Sequence, residues 1–369
     1  MLLSGCNNNP DNNDFLLNHL EQYKGKAKLS DILSDCKLIP LETKPECLIG
    51  NIMKIVEDNG RLYINSDNNR LLVFDKEGKY LRQISSQGGG PEEYSSIRDF
   101  DVKDSLIVIM EAKKINFYLL DGSFERSIRL PEIGGNIKLL PGKKIMLYVG
   151  GDFPILIINA KGEILNHFLK PNLALSIGKT TAFDVLGDSV LFQTGAFGND
   201  LWSYNEKTGQ TKSFKLVNNE KALSTEEECK LIKEKGIRYA DNPDVFNISQ
   251  LAVAGEQLVF GSKYQNHLYI NIGNARTSSS VVYQLYPQSQ IDDDITYTET
   301  YICLQYVYAV SSSDKHFFSF IQPSIIRESL EEKQRYRDEI NYGKVKELID
   351  NLPDPDNANP ILIEFNFKS

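Results

Sequence analysis

The sequence predicts an all-β fold, a six-bladed β-propeller with short helical insertions. Three observations support this prediction: a unit of several short β-rich runs recurs along the chain, turn residues separate the runs, and the units are spaced like propeller blades. Equivalent apolar positions fall 44, 39, 45, 68 and 59 residues apart, so the two widest intervals require insertions. These positions are Leu62, Leu106, Ile145, Val190, Leu258 and Phe317.

The first unit shows the pattern that the others repeat. Runs rich in apolar residues occupy 60–64, 70–75 and 80–84, and polar residues and Gly occupy the intervals between them. Short β-rich runs separated by turn residues predict a meander of antiparallel strands. Six such units can close into a ring, which leaves fewer exposed sheet edges.

Closure of the ring is expected to use both ends of the chain. The apolar run at 37–41 precedes the first unit and has no unit of its own. The last unit ends near Phe367. We therefore expect the run at 37–41 to pair with the last blade, so that the propeller spans 36–369.

Two insertions are predicted to be helical, at about 222–236 and about 325–350. The first opens with Ser224 and, three residues later, Glu227, which is the spacing of a capping box. The second is charged, with Leu330, Ile340 and Leu348 as sparse apolar anchors, which indicates a helix lying on the surface and broken near Gly343.

The N-terminus predicts a lipid anchor. Residues 3–6 read Leu-Ser-Gly-Cys, the pattern of a bacterial lipobox, so residues 1–6 are interpreted as a lipoprotein signal remnant with Cys6 as the acylated residue. Residues 7–35, which open with a run of Asn and Asp, are interpreted as a flexible tether. The alternative is a chance cysteine in a disordered tail. On the first interpretation the protein is a cell-envelope, outer-membrane lipoprotein that contacts membrane lipid.

Composition excludes several function classes. Lys and Arg number 41 against 50 Asp and Glu, a formal charge of −9, and no basic cluster offers a nucleic-acid site. Cys36, Cys47, Cys229 and Cys303 contain no CxxC pair, so neither a zinc site nor a redox motif is expected. Cys36 and Cys47 either pair across a hairpin or, as we favour, remain buried free thiols. No cofactor or metal is predicted.

Polar residues after a glycine-rich loop are the first candidates for ligand binding. Glu93, Tyr94, Arg98 and Asp99 follow the loop at 88–91 and lead toward the central channel. They either touch a ligand or pair with each other and hold the blades in register, and we favour pairing. The acidic run at 292–294 lacks the ligand pattern of a calcium loop and is interpreted as a solvated loop.

Aromatic residues beside amides and carboxylates are the second group of candidates. Such sites suit carbohydrate rings or peptides, although most aromatic residues at alternating positions belong to the core. The candidates in this group, with one further channel-side carboxylate, are Phe197, Asn199, Trp202 and Asp152.

Several short motifs resemble a known family. The sequence resembles the six-bladed β-propeller lipoproteins common in Bacteroidetes, distant relatives of NHL-type propellers, over roughly residues 36–367. The resemblance implies the fold and a cell-envelope location but names no activity. The residues that carry it are Ile39-Pro40-Leu41-Glu42, Ile49-Gly50-Asn51-Ile52, 72–79, 88–94, Ile97, Asp99-Phe100 and Asn359-Pro360-Ile361-Leu362.

Two hypotheses for function follow. The first is a non-enzymatic binding or scaffold module for a glycan, a peptide or a partner protein. The alternative is a channel-mouth metal- or carboxylate-dependent hydrolase or lyase acting on a lactone or a glycoside. Carboxylates that converge to about 5–9 Å would favour the enzyme, and carboxylates that are dispersed or paired would oppose it. The residues to inspect are Glu93, Arg98, Asp99, Asp152 and Asp184.

Overall fold

Six small antiparallel sheets stand in a ring and form a six-bladed β-propeller, as the sequence predicts. The structure is a computed structural model. It describes residues 15–85, 87–150, 154–169, 183–194, 198–236, 242–249, 251–298, 311–312 and 315–368.

The strands follow one another as meanders in chain order, with the inner strand of each blade first. Four strands precede blade one: β1 (Phe15–Leu17), β2 (His19–Gln22), β3 (Ala27–Lys28) and β4 (Leu33–Pro40). Blade one contains β5 (Ile52–Asp58), β6 (Arg61–Ser66), β7 (Arg70–Asp75) and β8 (Tyr80–Gln83). Blade two contains β9 (Asp99–Lys103), β10 (Leu106–Met110), β11 (Lys114–Leu119) and β12 (Phe124–Arg129). Blade three contains β13 (Gly134–Leu140), β14 (Lys144–Val149), β15 (Ile155–Ile158) and β16 (Ile164–Phe168).

The second half of the ring follows the same plan. Blade four contains β17 (Asp184–Leu186), β18 (Ser189–Thr194), β19 (Asp200–Asn205) and β20 (Thr211–Val217). Blade five contains β21 (Asn247–Ile248), β22 (Ala252–Ala254), β23 (Gln257–Tyr264), β24 (His267–Asn274) and β25 (Ser279–Tyr286). Two short strands follow, β26 (Ile291–Asp292), which pairs with β3, and β27 (Ser311–Ser312), which pairs with β5. The strands of blade six are β28 (Phe317–Ile321), β29 (Ile361–Phe367) and the early strand β4.

The core lies between blades rather than within one sheet. Leu62 and Ile64 of β6 pack against Phe318 and Leu362 of blade six, whereas Tyr63 packs toward blade two. Successive residues of a strand point to opposite faces, and both faces are buried here. This explains why the strands read as continuous apolar runs. In blades one to five, each position that defines the repeat lies in the strand next to the inner one, and in blade six Phe317 lies in β28.

The ring closes as the sequence predicts. Strand β4 pairs antiparallel with β29, with Ile39 opposite Leu362 and Pro40 opposite Ile361. Blade six therefore combines strands from the two ends of the chain. Opening the ring requires breaking this pairing as well as the packing between blades.

A glycine in the turn before each of three outer strands fits against the preceding blade. Gly78 has a φ of +86°, and a Cβ there would collide with the carbonyl oxygen of Pro40 at the end of β4. Gly122 and Gly162 occupy the matching turns of blades two and three, also with positive φ, beside Ile84 and Ile128. A left-handed turn with no side chain is what this contact requires.

The predicted tether is wrong for residues 15–35. β1 adds in parallel to β20 and β2 adds in parallel to β25, so these residues cover the outer edges of blades four and five. Leu17 and Leu29 are buried. A tether would have to stay solvated, but this segment pairs its backbone and buries apolar side chains. Residues 1–14, which include Cys6, lie outside the described residues.

Both helical insertions are present. Helix α1 (Leu29–Ile32) precedes β4, and helix α2 (Thr225–Lys235) begins with the predicted capping box of Ser224 and Glu227. Helices α3 (Pro323–Glu332) and α4 (Ile340–Asp350) form the second insertion. Short 3₁₀ turns occur at Pro45–Cys47, Pro141–Lys143 and Gln334–Tyr336.

The second insertion differs in detail from the prediction. The break lies between the two helices, at 333–339, and Gly343 is inside α4. Ile340 is 79% exposed, whereas Leu330 is buried and Leu348 packs against the core. The apolar face of α4 is formed by Tyr342, Val345 and Ile349, which contact blades five and six. The spacing three and four residues apart places these side chains on one face.

The two ends of the ring differ in the length of their connections. Turns from inner to second strands and from third to outer strands have at most five residues. These turns lie at one end of the ring, which we call the short-turn end. The opposite end carries two kinds of connection: from an outer strand to the next inner strand, and from a second to a third strand. Five connections longer than five residues begin and end there, at what we call the long-connection end: 41–51, 84–98, 169–183, 218–246 and 322–360.

Candidate functional site

Asp99 stands at the start of β9, at the long-connection end, and joins three blades. Its Oδ1 lies 2.8 Å from Nζ of Lys54 on blade one. Its Oδ2 accepts hydrogen bonds from the backbone N–H of Ile137, at 2.9 Å, and from the side chain of Asn136, at 3.3 Å, both on blade three. The carboxylate is buried and fully engaged. The Asp99 carboxylate thus links adjacent blades, through partners other than Glu93, Tyr94 and Arg98.

Asp101 repeats the arrangement two residues along β9. The N–H of Leu139 donates to its Oδ2 at 2.8 Å, and Nζ of Lys138 lies 3.5 Å from its Oδ1. Lys54, Asp101 and Lys138 were not among the residues predicted from the sequence. The signal that could have found them is two aspartates at alternate positions of an inner strand, facing lysines in the adjacent inner strands.

Glu93 holds the glycine-rich loop closed. Its Oε2 accepts the N–H of Gly90 at 2.7 Å. Its carbonyl oxygen accepts from Nζ of Lys114 at 3.1 Å and from the amide of Asn116 at 3.2 Å. A Cβ on Gly88 would collide with the Glu93 carboxylate. The loop is thus filled by its own side chain, which supports its structural interpretation.

Tyr94 and Arg98 have different environments. Tyr94 is completely buried and its hydroxyl accepts the N–H of Leu71 at 3.3 Å. Burial raises the pKa of this phenol to about 12. Arg98 is exposed at the long-connection end, where its guanidinium donates to the carbonyl oxygen of Gly134 at 3.4 Å. Arg98 therefore remains a candidate for contact with a ligand, and Tyr94 is a core residue.

The candidates on blade four are mostly structural. Asn199 is buried, and its Oδ1 accepts the N–H of Val217 at 3.0 Å. Trp202 is half-buried on β19, opposite Phe192, and packs in the core between blades three and four. Phe197 and Asp152 lie outside the described residues. Asp184 is buried at the start of β17.

The acidic run at 292–294 is not a solvated loop, so that interpretation is wrong. Asp293 is buried and its Oδ1 accepts from the backbone N–H groups of Ile295 and Thr296, at 2.9 and 2.8 Å. Asp294 accepts from the N–H of Ser30 at 2.9 Å and from its hydroxyl at 2.6 Å. Buried carboxylates require such donors. The pair fixes the connection after blade five to the chain segment that leads into β4.

The cysteines visible in the structure carry free thiols. Cys36 and Cys47 are not joined, so the disulfide alternative is wrong. Cys47 is buried as expected, but Cys36 is an exposed residue on β4. Its thiol nevertheless loses hydration against the protein, and this burial, assisted by the negative charge of Asp293, raises its pKa to about 12.

Neither a metal-binding cluster nor a membrane-spanning helix occurs among the described residues. Within the described ranges, no three His, Cys, Asp or Glu side chains are grouped so as to hold a metal ion. None of the helices seen there combines the length and the apolar character needed to cross a bilayer. The Asp99 carboxylate is engaged by contacts between blades, and the Glu93 carboxylate is engaged by a contact within its own loop.

Residues 15–366 match the family described as a domain of unknown function, DUF4934. The chain belongs to this family. The matched range begins at Phe15, the first residue of β1, so the strands that cover blades four and five are part of the DUF4934 domain. No protein of curated function matches this DUF4934 sequence.

Solved structures show where else the DUF4934 fold occurs. A Bacteroides fragilis protein described as exported is 19% identical, with a TM-score of 0.75, and the match covers 96% of this chain and 99% of that one. A member of the DUF4221 family from Bacteroides vulgatus is 9% identical, with a TM-score of 0.54, covering 91% and 98%. At these identities the likeness shows the shared fold.

Proposed function

We propose that this DUF4934 protein is a non-enzymatic binding or scaffold module of the cell envelope that holds its partner at the long-connection end. The observation that supports this most is the difference between the two ends of the ring. Between described strands, the turns at one end have at most five residues, whereas five longer connections begin and end at the other. Binding residues concentrate on loops that a rigid scaffold positions. The partner is a glycan, a peptide or another protein.

The rigidity of the scaffold supports the same proposal. Lys54, Asp99 and Ile137 join the inner strands of blades one, two and three. Because the Asp99 carboxylate is committed to these contacts, it serves to position the loops and not as an acid or base. The exposed Glu92 and Arg98 then remain to meet a partner.

The location rests on the sequence and on a structural relative. The Bacteroides fragilis protein of the same fold is described as exported. The lipobox pattern ending at Cys6 adds a lipid anchor in the outer membrane to this proposal. If so, Cys6→Ser abolishes metabolic labelling with a fatty-acid analogue in the native host. Undiminished labelling of that variant contradicts the anchor without affecting the binding proposal.

A thermal-shift screen of the purified chain tests the binding function. The panel contains bacterial and host glycans, short peptides, Ca²⁺, Zn²⁺ and EDTA. A ligand present at 100 times its dissociation constant adds about 2.7 kcal/mol to the free energy of unfolding. A higher melting temperature with a glycan or peptide supports the proposal. A lower one with EDTA, restored by a single metal, contradicts it and favours the metal-dependent hydrolase or lyase.

A further inference from the structure

A cleft lies beside β4, the outermost strand of blade six. Its volume is about 380 Å³, within the range of sites for small organic ligands. Strand β4, helix α4 and the connection after blade five form its walls. The walls are mainly apolar and consist of Leu33, Leu38, Ile295, Val345 and Leu348.

The polar groups of the cleft include a single cation. Lys344 and Asn341 lie three residues apart on α4, hence on the same face, and both are exposed. Over the described residues Lys344 forms no ion pair. The Asn341 amide makes only a 3.5 Å contact, with the carbonyl oxygen of Asp294. One ammonium and one amide donor are thus available to a ligand.

The neighbouring carboxylates of Asp293 and Asp294 are engaged by other donors and form no ion pair with Lys344. Both oxygens of Asp294 accept hydrogen bonds from Ser30, and Asp293 is buried with donors from Ile295, Thr296 and Thr298. The Cys36 thiol, which also lines the cleft, remains protonated at neutral pH because its pKa is raised to about 12. The cleft therefore presents a neutral thiol and apolar walls beneath a positive mouth.

We propose that this cleft binds a small amphiphile, with an apolar chain between β4 and α4 and a carboxylate at Lys344 and Asn341. Apolar walls contribute in proportion to the area that they remove from water. A carboxylate has two acceptor oxygens, which match one ammonium and one amide. A phosphate monoester has more oxygens and more charge than these two groups can satisfy. The lining of this cleft does not include Glu92 or Arg98, the residues proposed to meet the partner at the long-connection end.

Calorimetric titration of the full chain with octanoate, 1-octanol and octyl phosphate, each below its micelle concentration, tests the assignment. We expect octanoate to bind more tightly than the other two. Lys344→Met should weaken octanoate binding about tenfold or more, because a charge-assisted hydrogen bond is lost, while leaving 1-octanol binding unchanged. Lys346→Met, on the same helix but outside the cleft, is the matched control and should bind octanoate like the parent.

A second variant separates the apolar part of the site from the charge. Leu348→Phe enlarges a wall residue of the cleft while leaving Lys344 in place, so octanoate and 1-octanol should both bind more weakly. Far-UV circular dichroism establishes that each variant is folded. Equal binding of octanoate by the parent and Lys344→Met, tighter binding of octyl phosphate than of octanoate, or no binding of octanoate would each overturn the proposal.

Discussion

Lys54 and Asp99 form the ion pair that links the inner strands of blades one and two, with 2.8 Å between Nζ and Oδ1. The same lysine donates to the carbonyl oxygen of Phe100 at 2.8 Å. The carboxylate is almost fully buried, and its polar contacts come from Lys54 and from donors of blade three. The pair shows why a polar residue beside the channel can be structural.

Removing this carboxylate should therefore destabilise the ring. Asp99→Ala leaves the Lys54 ammonium without its partner, and breaking one side of a buried pair costs about 3 kcal/mol or more. Urea unfolding measures the change. Asp350→Asn breaks the exposed pair with Lys346 and should leave the unfolding midpoint unchanged. If Asp99→Ala is as stable as the parent, Asp99 does not hold the blades together.

The strand at Phe15–Leu17 should contribute to the stability of the whole domain. Leu17 is fully buried, and a Cβ on Gly273 would lie 3.1 Å from both of its methyl groups. Leu17→Ala should lower the free energy of unfolding by about 2–5 kcal/mol, as for other buried leucines. His19→Ala, at an exposed position two residues on, is the control. Similar stability of the two variants would mean that β1 is dispensable.

The turn glycine of blade one should tolerate no side chain. Gly78 and Gly60 both have positive φ, but only at Gly78 would a Cβ meet neighbouring atoms, the carbonyl of Pro40 among them. Gly60→Ala should cost about 1–2 kcal/mol from the left-handed backbone alone. Gly78→Ala should cost clearly more, because β4 must move. If denaturant titrations show that the two variants lose the same free energy of unfolding, the contact between Gly78 and blade six has room for a methyl group.

Alkaline pH should weaken the fold. Burial raises the pKa of Tyr94 from 10.0 and that of Cys36 from 9.0, each to about 12. Both groups stay protonated in the folded chain after they ionise in the unfolded one. Their contribution is complete below pH 9 and is lost as the pH rises toward 12. Each such group contributes a slope of up to about −1.4 kcal/mol per pH unit.

Tyr94→Phe isolates one of these groups. Denaturant unfolding between pH 8 and pH 11 should show a shallower decline for this variant than for the parent. Tyr286→Phe, which changes an exposed ring, should follow the parent. An unchanged slope in Tyr94→Phe would show that this phenol ionises as readily in the folded chain as in the unfolded one.

Much of the fold could be predicted because each repeat consists of short apolar runs and turn residues that are close together in the sequence. Leu62 and its five counterparts mark second strands, and the run at 37–41 could be recognised as the closing strand because it lacked a unit. Residues 15–35 could not be assigned correctly. The strands that precede β4 are only two to four residues long. They pair with strands more than 190 residues away, and no local pattern reveals such a pairing.

The candidate site was less accessible to sequence reasoning. Glu93 and Asp99 were expected to pair within their own group, but the partners of Asp99, Lys54 and Ile137, belong to other blades and are defined only by the closed ring. The acidic run at 292–294 looked solvated because its donors come partly from Ser30, far away in the chain. The cleft needs β4 and α4 side by side, a contact between the two ends of the sequence.

Site-specific photo-crosslinking in the native host tests the central claim, that the partner is held at the long-connection end. A photoreactive residue replaces either Glu92, in the connection 84–98, or Glu256, in a short turn of blade five at the opposite end; both glutamates are exposed. The account predicts a discrete crosslinked partner from position 92 and none from position 256. The same partner captured from 256 but not from 92 would contradict it.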